Sequence, residues 1–179
     1  LVRQQPFVVA LGDSIIGVNA QSDIVKRMTD LFQREQVAAV VAFEEVPAED
    51  VNKYGIAKPA GDAGDVFELS DLVEKPAVDE APSHLAVAAR YVFGPDIFEM
   101  LQATPPGKGG EIQLTDAIRL LIQNGHRCLG IRLKQDEPRF DIGNFESYFR
   151  TFVEFALADP EFGSQLKDYL QDLLAAQSE

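Results

Sequence analysis

With 179 residues, 46% of them hydrophobic and 25% charged, the chain has the length and composition of one ordinary globular domain and can hold a core without covalent staples. Sixteen basic against twenty-nine acidic residues leave a net charge of −13, which argues against an unassisted nucleic-acid or anionic-membrane surface and confines any phosphate site to a local basic pocket. Cys128 is the single cysteine, which excludes an intrachain disulfide and a cysteine-rich zinc site; with no apolar run of membrane-spanning length and no signal-peptide pattern, a cytoplasmic address is expected.

Residues 7–11 are continuously apolar and predict a short strand of the kind buried on both faces of a parallel sheet. Ser22 or Asn19 is placed to cap a helix whose apolar Ile24, Met28, Leu31 and Phe32 recur at helical spacing and which ends near Gln36. Residues 37–43 form a second apolar strand, so strand, helix and strand predict a right-handed crossover and an α/β sheet. Between residues 54 and 74 the pieces shorten and are split by "AGDAGD", which predicts an antiparallel elaboration. Residues 85–93 are a third strong strand, and "PDIFEMLQ" opens a helix with proline and aspartate. "TPPGKGG" is a loop; Thr115 or Asp116 then starts a helix that buries Ile118, Leu121 and Ile122 and stops at Asn124 and Gly125. A strand over residues 128–133 is ended by "RFDIGN", and two helices, about 145–157 and 161–175, finish the chain. No repeat or linker divides it. One domain over residues 1–179 is expected, with the helices from about residue 145 serving assembly.

Ligands of an open α/β sheet gather beyond the carboxyl ends of its strands. Asp13, in "VALGDSIIG", and Asp141, in "RFDIGN", occupy that position, each within two residues of a glycine, Gly12 or Gly143, that lets backbone or ligand come close. Two carboxylates from distant sequence suit a divalent cation such as Mg²⁺, which takes one or two of them and fills its other positions with phosphate oxygens and water. Two loop aspartates that merely cap turns are the plainer alternative. In "VEKP", Lys75 offers a point charge to a phosphate and Glu74 an acceptor to ligand hydroxyls; if the strand continued, the two would point to opposite faces and share no simple salt bridge. "TPPGKGGEIQLTDAI" reads equally as a stiff helix-entry loop or as a substrate-facing one. His84 and His126 are too isolated for metal or acid/base work, and Cys128 is expected to be a small core residue.

In this order and at these spacings, "GDSIIG", "KYGIAKP", "LVEKP", "LAVAARYVFGPDIFEMLQATPPGKGGEIQLTDAI" and "RFDIGN" resemble the bacterial UTP:glucose-1-phosphate uridylyltransferases, also called UDP-glucose pyrophosphorylases. The resemblance implies a Rossmann-like mixed α/β sheet and transfer of a uridylyl group from UTP to glucose 1-phosphate, with Mg²⁺ and release of pyrophosphate. It implies metal binding by Asp13 and Asp141, glucose hydroxyls held by Glu74, the sugar phosphate contacted by Lys75 as the catalytic cation, the sugar packed on Gly55, and Gly12 at the substrate. A homo-oligomer is expected from apolar surface that the chain leaves uncovered. Ser14 stands where many members carry a second acidic residue. The Gly-rich triphosphate loop and downstream lysine of the family's N-terminal segment have no counterpart, so the chain is expected to match the C-terminal two thirds. Alone it should show little turnover and should leave the apolar surface near residues 7–11 to a partner chain. A noncatalytic sugar-phosphate-binding or assembly module, and a transferase using another base such as thymidine, remain alternatives.

Overall fold

A computed structural model describes residues 4–18, 22–107 and 110–177. Its strands are β1 (Phe7–Ala10), β2 (Ser14–Ile16), β3 (Ala39–Glu45), β4 (Gly55–Pro59), β5 (Val66–Glu74), β6 (Leu85–Phe93), β7 (Cys128–Arg132) and β8 (Arg139–Asp141). The helices between and after them are α1 (Ile24–Glu35), α2 (Ile97–Ala103), α3 (Leu114–Gln123), α4 (Phe145–Ala158) and α5 (Gly163–Ala176). They form a mixed α/β fold of two compact units, one from Leu1–Leu11 and Asp23–Lys134, the other from Gly12–Ser22 and Gln135–Glu179.

The first unit is built on a six-stranded sheet of order β1-β6-β3-β7-β5-β4. Of its strand pairs only β3 and β7 run parallel. β1 and β3 are both antiparallel to β6 and hence parallel to each other, so the strand–helix–strand crossover through α1 exists with β6 inserted between its strands. The expected antiparallel pieces after residue 54 are the β4–β5 hairpin, which joins the same sheet.

Position in the sheet decides burial. β3 lies inside it, and Ala39, Val40, Val41, Ala42 and Phe43 are all fully buried. Ala39, Val41 and Phe43 share one face with Ile97 and Met100 of α2 and Ala117, Ile118 and Leu121 of α3. α1 packs on β3 and β6 through Ile24, Met28, Leu31 and Phe32, the four positions its periodicity marks. β1, in contrast, ends the sheet among the described residues and alternates half-buried with exposed side chains, Val8 being 42% exposed. The two-sided burial expected of it is therefore corrected: an edge strand covers one face only. β6 keeps its register with β3 except at a bulge around Ala89, whose φ is +54°.

Several ends differ from expectation. α1 is preceded by Asp23 rather than capped by Ser22; the Ser22 hydroxyl instead donates to Glu137 at 2.7 Å, and Asn19 lies outside the described residues. α3 begins at Leu114, within two residues of the expected start, and buries Ile118 and Leu121 with Ile122 at the margin. Cys128 is buried in β7, and that burial pushes its thiol up to about 12.

The second unit holds the two-stranded β2–β8 ladder and the α4–α5 hairpin. The Asp159 carboxylate accepts from the backbone of Glu161 and Phe162 at 2.9 and 2.8 Å and turns the chain between the helices. Gly163 follows because a Cβ there would overlap the Leu157 carbonyl. No helix among the described residues is long and apolar enough to cross a membrane.

Candidate active site

The carboxylate pair is assembled by the β2–β8 ladder. Ser14 is the register partner of Asp141, so Asp13, one residue before the strand, falls beside Asp141 and Ile142. The Ile142 amide donates to the Asp13 carbonyl at 2.8 Å, and at the other end Gly17 donates to the Pro138 carbonyl at 2.9 Å, which pins the register from both sides. Both carboxylates converge on Gly143. A Cβ on that residue would stand 3.2 Å from Asp141 Oδ1 and 3.6 Å from Asp13 Oδ2, so the two oxygens are no farther apart than those distances laid end to end. A side chain at 143 would crowd Asp141 Oδ1 and touch Asp13. Asp141 Oδ1 also accepts from the Gly143 amide at 2.8 Å, so this aspartate caps a turn as well as joining the pair.

α4 begins immediately after, with the Asn144 side chain accepting from the Ser147 amide at 3.0 Å. A cavity of about 290 Å³ lined by Ile142, Gly143, Asn144, Phe145 and Tyr148 opens beside the pair. Among the described residues no three His, Cys, Asp or Glu side chains are grouped for a metal. A donor set of two carboxylates beside open space suits a hard cation that completes its shell with phosphate and water, and does not suit a closed structural metal site. Gly12 is exposed, and a Cβ there would meet open space, so the close approach expected of it is not a packing requirement of the fold.

The sugar-phosphate residues come together in the first unit through the β4–β5 hairpin. Gly55 and Glu74 are register partners, and the Lys75 amide extends the ladder by donating to the Tyr54 carbonyl at 2.9 Å. β5 ends at Glu74; Lys75 turns into the left-handed region at φ +45°, ahead of Pro76. The opposition of faces expected of a continuing strand therefore does not apply, and Lys75 Nζ lies 3.6 Å from Glu74 Oε1. Glu74 is 15% exposed and Lys75 44%, a sheltered acceptor next to a more accessible cation.

Thr115, in the first turn of α3, is named in the sequence as a helix start, inside a segment that reads equally as substrate-facing. A Cβ on Gly55 would stand 3.0 Å from the Thr115 hydroxyl and 3.3 Å from Glu74 Oε2, so glycine leaves a gap bordered by a hydroxyl and a carboxylate. The signal for Thr115 was the "QLTDA" segment, which announced a helix start more loudly than a site. α3 is held to the hairpin by Arg119, whose Nη2 donates to Asp71 Oδ2 at 3.2 Å while Nε stands 2.9 Å from Asp71 Oδ1 as an ion pair. The preceding loop folds on itself, with Gly107 donating to the Glu111 carbonyl at 2.9 Å and Gly110 to the Gly107 carbonyl at 3.0 Å; Lys108 and Gly109 lie outside the described residues. His84 is exposed, and His126 stands 3.9 Å from Asp96, away from these groups.

The chain belongs to the nucleotidyl transferase family, whose model matches residues 1–156. It is 41% identical over 149 residues, 83% of its length, to a UTP--glucose-1-phosphate uridylyltransferase of Pseudomonas aeruginosa, of which it covers 52%. Its fold superposes on a UDP-glucose pyrophosphorylase complexed with UDP-glucose at a TM-score of 0.74 and 41% identity, covering 82% of this chain and 54% of that one. A UTP-bound UGPase from Acinetobacter baumannii matches at a TM-score of 0.81 and 31% identity, over 96% of this chain and 58% of that one. The chain thus spans a little over half the length of the relatives it matches.

Proposed function

We propose that this chain is the part of a UTP:glucose-1-phosphate uridylyltransferase that carries the metal carboxylates and the sugar-phosphate site, acting with Mg²⁺ in the cytoplasm as one catalytic domain of a homo-oligomer. What supports the reading is that the two devices the reaction needs, a carboxylate pair and a Glu–Lys corner, each arise from strand register: Ser14 opposite Asp141, and Gly55 opposite Glu74. The relatives named for this reaction supply the substrates.

Glu74 and Thr115 accept and donate hydrogen bonds to glucose hydroxyls in the gap left by Gly55, and Lys75 holds the 1-phosphate and offsets its charge. The phosphate oxygen so held attacks the α-phosphorus of UTP; the new P–O bond forms as the bond to the pyrophosphate oxygen breaks, and pyrophosphate leaves. No covalent enzyme intermediate is needed, so alignment and charge neutralisation supply most of the rate. Asp13 and Asp141 would hold the Mg²⁺, which when bound neutralises the phosphate charge. Gly12, just before Asp13, leaves room for substrate next to the backbone. The expected test outcome is UDP-glucose and pyrophosphate formed by the polypeptide that carries these residues, from UTP and glucose 1-phosphate, and abolished by EDTA. Faster turnover of TTP than of UTP would favour the thymidine alternative, and glucose 1-phosphate binding without turnover of either would favour the noncatalytic one.

A further inference from the structure

A strand that leans on a helix turns every second residue toward it. In β5, Phe67 and Leu69 lie in the core that α3 covers with Ala117, Ile118 and Leu121. Strict alternation from them would bring residues 71 and 73 to that face and turn Glu74 away. The hairpin does otherwise. Pro59 pairs with Leu69 and Lys58 with Asp71, so Ser70 is an extra residue in β5, a bulge opposite a single step of β4. The Ser70 hydroxyl donates to the Lys58 carbonyl at 2.9 Å and ties the bulge into the hairpin. Past it the alternation has slipped by one: Leu72 is fully buried in the same core, and Glu74, two residues on, shares its face and reaches the gap at Gly55 that Thr115 borders.

The first residue after the bulge is tied to the helix. Asp71 Oδ1 accepts from the Leu72 amide at 2.8 Å, which orients the carboxylate, and Arg119 of α3 pairs with that carboxylate. Arg119 lies four residues after Thr115, one turn further along the same side of α3. The pair thus joins the strand, three residues before Glu74, to the helix, one turn beyond Thr115, and stands outside the gap itself. An ion pair whose side chains are 42% and 23% exposed adds little to stability. Its effect is geometric: it holds β5 and α3 at one spacing beside the gap.

We propose that Asp71 and Arg119 are positioning residues for sugar recognition, which set the spacing between Glu74 on the bulged strand and Thr115 on the helix and so the discrimination between hydroxyl epimers. Neither touches the sugar; both act through Glu74 and Thr115. This role rests on the reading of the corner as the glucose 1-phosphate site and extends it to a charge pair outside the gap. A displacement of about 1 Å caused by a remote change can cost ~100-fold in rate where it reaches the reacting atoms. Here it reaches hydroxyl contacts, so specificity should move more than turnover.

Steady-state kinetics of the polypeptide that carries these residues, with glucose 1-phosphate and galactose 1-phosphate, tests it for the parent, Arg119→Met, Asp71→Asn and the double variant. In each single variant the ratio of kcat/KM for glucose 1-phosphate over galactose 1-phosphate should fall roughly 10-fold, mainly through a raised KM for glucose 1-phosphate. The kcat and the KM for UTP should stay within about 3-fold of the parent, and the melting temperature within about 3 °C. The double variant should lose no more than either single one, because the two side chains act as one unit. A pair that only stabilises the fold would lower activity toward both sugars alike and leave the ratio unchanged; that result overturns the proposal, as do additive losses in the double variant. If Arg119→Met does not fold, the isosteric Asp71→Asn carries the comparison with the same expectation. A parent that neither binds nor turns over glucose 1-phosphate would remove the proposed function and this role together, whereas a discriminating parent whose variants keep its preference would remove this role alone.

Discussion

Glu74 and Lys75 are adjacent in the chain and, in the proposed site, serve opposite ends of one small ligand. Lys75 leaves the sheet through a left-handed backbone turn, so its ammonium comes within 3.6 Å of the carboxylate instead of passing to the other face. In the proposed site the ammonium addresses the phosphate and the carboxylate the sugar. Replacing Lys75 by Ala removes a charge-assisted hydrogen bond worth about 1.5–3 kcal/mol, so the KM for glucose 1-phosphate should rise roughly 10- to 100-fold. Glu74→Ala should instead narrow the preference for glucose 1-phosphate over its galactose epimer, because hydroxyl geometry is what a carboxylate distinguishes. Steady-state kinetics with both sugars separates the two. Equal effects of both variants on both sugars would show that phosphate and hydroxyl recognition are not divided in this way.

Among the elements, β6 and β3 were legible because each is a long apolar run that the sheet buries on both faces, and the same property makes their neighbours intolerant of bulk. The Phe67 ring of β5 rests on Gly130 of β7 where a Cβ would overlap it, and Phe67 packs in turn on Phe43 at 5.5 Å. Gly130→Val should therefore overpack this layer and cost about 1–3 kcal/mol in chemical denaturation; an unchanged midpoint would mean that the ring moves aside freely. β2 and β8 were not legible. Three residues each, "SII" and "RFD", are too short to show alternation, and each becomes a strand only because the other, from the far end of the sequence, supplies its partner. The candidate metal site depends on that pairing, so Asp13 and Asp141 were visible as residues while the ladder that joins them was not. Helix interiors were legible from their buried stripes and helix ends less so, since α1 begins after Asp23, whose carboxylate takes Lys134 at 3.0 Å and Arg27 at 2.7 Å. The hydrogen bond from Lys134, with that from Arg27, holds the Asp23 carboxyl below its ordinary 3.8. A lowered carboxyl stabilises fully above its ordinary value and less as pH falls through its folded one. The melting temperatures of the parent and Lys134→Met should accordingly differ at neutral pH and converge below about pH 4. A gap that is constant with pH would assign the effect of Lys134 to packing.

At the scale of the whole molecule, a chain with net charge −13 is proposed to bind two highly phosphorylated substrates, which only locally arranged charge can reconcile. In that proposal Lys75 supplies one such place. The other requires a cation between Asp13 and Asp141, and the account stands or falls on that pair. The most direct test is UDP-glucose formation by the polypeptide that carries these residues, titrated with magnesium, for the parent, Asp13→Asn and Asp141→Asn. Each substitution keeps the size of the side chain and withdraws one carboxylate where phosphate charge is greatest; it should lower turnover by roughly 100-fold or more at limiting magnesium, with partial recovery as the metal is raised. Parent-like turnover by both variants at limiting magnesium would contradict the account.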